Sequence, residues 1–450
     1  MLIGILLLLI SCNKNDTVST TDLTFIGLSK STSTYSGKQA AEYFELLCTF
    51  SKTTAGFFPP QVARAYGYVG ITGYEAVFNG IPNATSLSNP LNGLGADLLP
   101  KADKTKAYNW ALAYNAATAE IIRKMFLQAL SKINAASLDS LVKSYSNRLS
   151  VGEDSNVILR SIQFGKDIAG AIYTYSTTDG GDLSYLDPFQ LPYTKPTDSA
   201  AWVPTSAIQN PVSPKWGNNR PFLIQNVSTT QPSSPIPFST GVNSEFYSQA
   251  LLVNNQVKMN SAEQIEITKY WADDPFNTFT PTGHTFGILS QILQENRASL
   301  EKSVIGFAKL SIAENDAFIC CWKGKYQYNL IRPVSYIKKY INPAFTTVIG
   351  TPPFPAYTSG HSCEMGAGSK IFISLFANEN GDYTFTDYSQ LKYGLSVRNY
   401  TNFNSMADEC AKSRLYGGLH YPMDNDKGLQ VGRAIGNNVN TIIILPSNIH

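Results

Sequence analysis

The sequence predicts one predominantly helical domain, on three observations. Apolar and aromatic residues recur at intervals of three and four along much of the chain from Gly37 onward, the spacing that gives a helix one apolar face. Of 450 residues, 43% are hydrophobic and 15% charged, enough apolar surface to bury a large core. No repeat of 20 to 50 residues divides the chain into arrayed units.

The chain opens with MLIGILLLLISC, an apolar run too short to span a bilayer comfortably. Its end, Leu9-Ile10-Ser11-Cys12, looks like the lipobox of a bacterial lipoprotein signal, although no Lys or Arg precedes the apolar run. The expected organisation is therefore a signal over 1–12 with Cys12 lipidated as the mature N-terminus, and a Ser/Thr-rich linker over 13–36. The helical domain follows over 37–450. The expected location is the cell envelope, periplasmic or on the outer surface, with the membrane reached only through the lipid.

Ala107, Trp110, Tyr114, Ala117, Ile121 and Met125 trace one helical face, and Val157, Ser161, Gly165, Ile168 and Ile172 another. Further helices are expected over Ser261 to Trp271, Thr282 to Asn296, Leu300 to Trp322, Gly360 to Phe376, Asn404 to Leu415 and Asp426 to Ile444. Between Ser176 and Pro237 the pattern fails in a stretch dense in Pro, Gly, Ser and Asn, expected to be a long irregular excursion serving as lid or scaffold. Five cysteines besides Cys12 leave one disulfide conceivable without saying which, and adjacent Cys320 and Cys321 are expected in a buried helix. A net charge of +2 with no long basic run argues against nucleic acid as a partner.

Three strings near the C-terminal end carry the chemistry: KYQYNLIRP from Lys325, TSGH from Thr358 and SRLYGGLHYPMD from Ser413. They hold three cations, a hydroxyl beside a glycine, and two of the four histidines. A carboxylate stands four residues after the second histidine. A tetrahedral oxyanion needs such a set. Arg332 and Arg414 offer forked donors and Lys325 a compact charge. Ser359 offers a hydroxyl, and the Gly360 amide allows close approach. A helix starting near Gly360 would add anion affinity through its free amides.

Of the histidines, His420 is the better candidate to bond the central atom, since Asp424 can fix its tautomer and raise its basicity. His361, beside the Ser-Gly pair, is then the acid/base. Singly, each element reads more simply as a helix end, a flexible turn or a solvated lysine. His284 could line the cleft or stand on the surface at a helix N-terminus.

These strings resemble the phosphatidic acid phosphatase type 2 and vanadium-dependent haloperoxidase superfamily, whose pattern is KxxxxxxRP, PSGH and SRxxxxxHxxxD. Lys325, Arg332-Pro333, Ser359-Gly360-His361, Ser413-Arg414, His420 and Asp424 match it, while Thr358 stands where proline is usual. The likeness leans toward the soluble vanadium chloroperoxidase branch. It rests there on Trp322 ahead of Lys325, on Phe354 in PPFPAY, and on the Tyr270–Asp274 segment, where Asp274 matches an aspartate that pairs with the residue matching Arg414.

The resemblance implies an all-α bundle of the acid phosphatase and haloperoxidase type, with the oxyanion site in its core. It implies vanadate on His420 and oxidation of halide by peroxide. The alternative is an acid phosphatase that needs no cofactor and hydrolyses phosphomonoesters through a phosphohistidine. A further alternative is a non-catalytic surface lipoprotein for nutrient capture, disfavoured because capture needs no nucleophile.

Overall fold

The computed structural model describes residues 28–442. The expected signal, Cys12, most of the linker and the final residues 443–450 lie outside the described residues.

From the N-terminal side the chain forms α1 (Lys38–Thr53), α2 (Pro59–Glu75), α3 (Trp110–Met125), α4 (Lys132–Leu149) and α5 (Ser155–Ser176). After the irregular stretch come α6 (Glu245–Met259), α7 (Ala262–Tyr270), α8 (Pro281–Glu295), α9 (Leu300–Tyr328) and α10 (Pro333–Tyr340). The chain then forms α11 (Gly360–Phe376), β1 (Asp382–Asp387), β2 (Arg398–Asn402), α12 (Phe403–Tyr416) and α13 (Pro422–Ile442). Side-chain caps set many of the starts. Ser299 accepts from Lys302 N, Thr280 from Gly283 N ahead of Pro281, and Ser261 closes a capping box with Gln264. The helical expectation is met, with α9 running six residues past its expected end and α13 starting four residues early.

The axis of the bundle is α9, 29 residues long and buried nearly all round from Leu300 to Lys325. It packs on α2 and α11, and α11 makes its largest interface with α13. Sequence dictates how close that last pair comes. Gly428, Gly432 and Gly436 recur every four residues along α13 and face α11. A Cβ on Gly436 would stand 2.6 Å from the Ala367 carbonyl, and one on Gly432 would overlap the Cys363 carbonyl. The two backbones therefore touch, which ties the start of α11 to the start of α13.

The irregular stretch contains only single helical turns, such as Gln225–Ser228, and is strapped onto the bundle by buried polar groups. The Asp316 carboxylate accepts from the Phe222 and Leu223 amides, and Arg64 pairs with Asp179 at 2.7 Å. It therefore serves as a scaffold. The end of the expected linker is also packed: Thr32 is buried, and Gly37 N donates to Ala298 O at 2.8 Å.

One element departs from the all-helical reading. The β1–β2 hairpin pairs Phe385 with Tyr400 and carries Asp387 inward to a buried position. Cys48, Cys320, Cys321, Cys363 and Cys410 are all buried free thiols, so the conceivable disulfide is absent among the described residues. None of the described helices is long and apolar enough to cross a membrane.

Candidate active site

Three helix termini deliver the site. Ser359 is the N-cap of α11, so Gly360 and His361 open that helix, with Ser359 Oγ accepting from Ser362 N at 3.4 Å. The Ser359 amide donates to the Asp424 carbonyl at 3.0 Å, which locks the start of α11 to the first turn of α13. Arg332 caps α10 by its backbone ahead of Pro333, and Arg414 lies in the last turn of α12.

Gly360, His361, Arg414, His420, Trp322 and Phe354 line one cavity of about 30 Å³, closed by Pro59, Pro281, Phe318 and Pro352. That is room for more than one water. Its apolar walls strengthen any charge interaction inside. Arg332 reaches the site through His420, its Nη1 standing 3.0 Å from Nε2 and donating to Leu419 O, while its Nε donates to Phe354 O.

His420 Nδ1 lies 2.9 Å from Asp424 Oδ2, and the same oxygen accepts from the Tyr421 amide at 3.1 Å. A carboxylate in that place makes Nδ1 the donor and leaves the Nε2 lone pair free to bond an electrophile. Asp424 does this from the first turn of α13, which begins at Pro422, four residues earlier than spacing suggested.

Lys325 behaves differently from expectation. All three ammonium donors are met by carbonyls, of Pro355 at 2.9 Å, Ala356 at 3.0 Å and Thr358 at 2.5 Å. Its charge shapes the 355–358 loop from behind the cavity wall and is felt there through space. Thr358, where proline is usual, turns its hydroxyl to the Cys321 and Cys363 thiols and keeps its carbonyl on Lys325.

The electrostatics are those of an anion cradle. Burial, reinforced by Arg332, lowers the Lys325 pKa to about 8, and burial with Arg414 nearby lowers Arg332 to about 9. Burial, then the surrounding cations, holds both His361 and His420 well below the usual histidine range. Meanwhile Arg332 Nη2, Arg414 Nε and His361 Nε2 are buried with no hydrogen-bond partner. Fully buried donors without partners are costly and rare. Arg414 and His361 line the cavity and Arg332 stands against His420, so such a set of donors fits a bound oxyanion such as vanadate.

Asp274 stands apart from the pairing that the resemblance implies. Among the described residues it makes no ion pair with Arg414, whose Nη1 instead donates to Trp271 O at 2.7 Å. The backbone turns sharply there, Asp273 at φ +47° and the Asp274 carbonyl accepting from Asn277 and Thr278, so Asp274 acts on Arg414 only through space. His284 neither lines the cavity nor reaches the surface. It is fully buried between Asp273 and Asp387, at 3.0 Å from each. The paired acids in Tyr270–Asp274 hinted at Asp273, but nothing in the spacing linked it to Asp387, more than a hundred residues away.

The family model for the second helical-bundle domain of vanadium chloroperoxidase matches residues 306–444. The chain is 24% identical over 369 residues to the vanadium chloroperoxidase of Curvularia inaequalis, a match that spans 69% of this chain and 60% of that relative's length. A bacterial vanadium-dependent iodoperoxidase of known crystal structure superposes with a TM-score of 0.81 at 30% identity, covering 91% of this chain and 97% of that one. The chain belongs to the vanadium-dependent haloperoxidase family. A holo-type bacterial vanadium-dependent chloroperoxidase shares the fold at a TM-score of 0.62 and 15% identity, over 86% of this chain and 92% of that one. For a haloperoxidase-family chain, the matched residues 306–444 hold the cradle but leave out Asp273 and His284.

Proposed function

We propose that the chain is a vanadate-dependent haloperoxidase that oxidises halide with peroxide. The observation that carries this reading is the cavity itself. A pinned His420 presents Nε2 beside two guanidinium groups that each hold a buried donor without a partner. The 30% identical relative is an iodoperoxidase, which makes iodide the first halide to try.

Bound vanadate would supply Lewis-acid activation of peroxide toward halide attack. The protein's part is positioning and proton movement. Arg332 and Arg414 would hold the anion's oxygens through their free Nη2 and Nε. The Gly360 amide and Ser359 would cap the anion at the helix start, where the dipole of α11 favours negative charge. Lys325 adds charge from behind while it holds the loop carrying Phe354. His420 would hold the central atom through Nε2, and His361 would move protons at one of the anion's oxygens. Trp322 and Phe354 keep the cavity apolar.

The test compares two activities in one preparation. Loaded with vanadate, the protein should oxidise iodide or bromide with hydrogen peroxide. Without vanadate, hydrolysis of phosphomonoesters exceeding that oxidation would favour the phosphatase reading instead. The lipid anchor belongs to the same proposal. Full-length protein should fractionate with membranes and Cys12→Ala protein should not, while equal fractionation of the two would remove the anchor.

A further inference from the structure

Beneath the start of α11 lies a pair of thiols that the cradle does not use. Cys321, four residues before Lys325 on α9, and Cys363, two after His361 on α11, are both buried and free. They meet at Thr358, whose hydroxyl oxygen stands 3.5 Å from Cys321 Sγ and 3.3 Å from Cys363 Sγ. Where Thr358 stands the superfamily pattern has proline, which has no hydroxyl to offer. Cys321 Sγ also lies 3.5 Å from the Thr358 carbonyl that Lys325 holds. Adjacent Cys320 faces elsewhere, to Thr230 Oγ1 at 3.5 Å and Gln231 Nε2 at 3.2 Å.

The two sulfurs are unequal. Burial opposes ionisation of Cys321, but a hydrogen bond from the Cys363 thiol and the Lys325 charge outweigh it and lower its pKa below an ordinary thiol's. Burial, and then the Cys321 neighbour, push Cys363 well up. One sulfur is therefore the readier nucleophile, and the other keeps its proton. Both lie close behind the cavity wall, which Trp322, next to Cys321, and His361 help to line.

We propose that Cys321 and Cys363 are an oxidation site, a dithiol that hydrogen peroxide in excess of halide converts to a disulfide joining α9 to α11 under the cradle. In the first step the Cys321 thiolate takes a peroxide oxygen. The S–O bond forms, the O–O bond breaks, and hydroxide leaves, regaining as water the proton that Cys321 gave up. In the second step the Cys363 sulfur attacks Cys321. The S–S bond forms, the S–O bond breaks, and a second water leaves with the Cys363 proton. Two thiols are oxidised and one peroxide is reduced to two waters. The bonded sulfurs draw together and release the Thr358 hydroxyl, which shifts the backbone leading into Ser359 and Gly360 and weakens anion binding. That consequence rests on the reading of the cradle above, and the cross-link itself does not.

Peptide mapping of the full-length protein tests the site without any variant. Reduced protein, freed of reductant and given peroxide without halide, should yield a linked Cys321–Cys363 peptide. Its vanadate affinity should fall by about 10-fold or more, and thiol reductant, again removed before titration, should restore it. Cys321→Ser and Cys363→Ser should bind vanadate and keep their affinity after peroxide, while Cys320→Ser should respond as wild type does. Peroxide-treated wild type with no such peptide, or with a link through Cys320 instead, overturns the proposal. A linked protein of unchanged affinity, or a Cys363→Ser protein that peroxide weakens as it does wild type, overturns the hold of the thiols on the cradle. Reduced wild type that binds no vanadate overturns the cradle reading, and the linked peptide alone then decides the oxidation site.

Discussion

Arg332 Nη1 and His420 Nε2 stand 3.0 Å apart, a guanidinium against the nitrogen that would bond the central atom of the anion. Arg332 Nη2 beside them is a buried donor without a partner. Replacing Arg332 or Arg414 with Ala should therefore weaken phosphate and vanadate together, by about 10- to 100-fold for one charge-assisted donor. Competition titrations check this, and loss of one anion without the other would separate the two sites.

Anion affinity should also fall as pH rises through about 8. The lowered pKa of Lys325 means that its charge is lost earlier than an ordinary lysine's. A bound anion restores that charge, so binding above pH 8 takes up a proton. Calorimetry in buffers of different ionisation enthalpy measures the uptake. Binding with no proton exchange at pH 8.5 would place the anion beyond the reach of Lys325.

His284 gives a stability signature of opposite sense. Burial opposes its charge, yet Asp273 and Asp387 overcome burial and raise its pKa to about 10. A raised histidine pKa stabilises the fold fully below the unfolded value near 6.5, and that contribution is lost as pH rises through about 10. The gap in melting temperature between wild type and His284→Gln should be wide at pH 6 and narrow at pH 10. A gap independent of pH would mean that the imidazole is buried neutral.

The α11–α13 contact should tolerate no added methyl. Gly432→Ala places a Cβ on the Cys363 carbonyl and should destabilise by about 1–3 kcal/mol. It should also loosen the link between Ser359 and Asp424, so vanadate affinity should drop with melting temperature. Calorimetric melting and an anion titration on one sample test both, and an unchanged melting temperature would rule the close contact out.

Much of this was legible in the sequence because it is local. The 3–4 spacing predicted the helices, and caps such as Ser299 and Ser359 set their starts. His420 and Asp424, four apart, were readable as a pair because one turn of chain joins them. The candidate cradle residues lie within three short strings, and the fold brings Gly360, His361, Arg414 and His420 onto one cavity.

What stayed hidden is long-range. The Asp273–His284–Asp387 cluster joins a turn, a helix and a hairpin, and nothing periodic marks it. Lys325 carried the expected charge, but its three carbonyl partners belong to a loop whose path no spacing foretells. Asp274 lost its expected partner because the turn at Asp273 gives the Arg414 guanidinium a carbonyl instead.

The central claim is that His420 bonds vanadate and that the loaded site oxidises halide. Equilibrium titration of vanadate into wild type, His361→Ala and His420→Ala, with peroxide-dependent iodide oxidation read on the same samples, tests it most directly. The account predicts one vanadate per wild-type chain and activity in proportion to loading. His361→Ala should still bind vanadate but lose turnover by about 100-fold, and His420→Ala should lose both. Undiminished vanadate binding by His420→Ala, or a loaded wild-type protein that oxidises no halide, would contradict it.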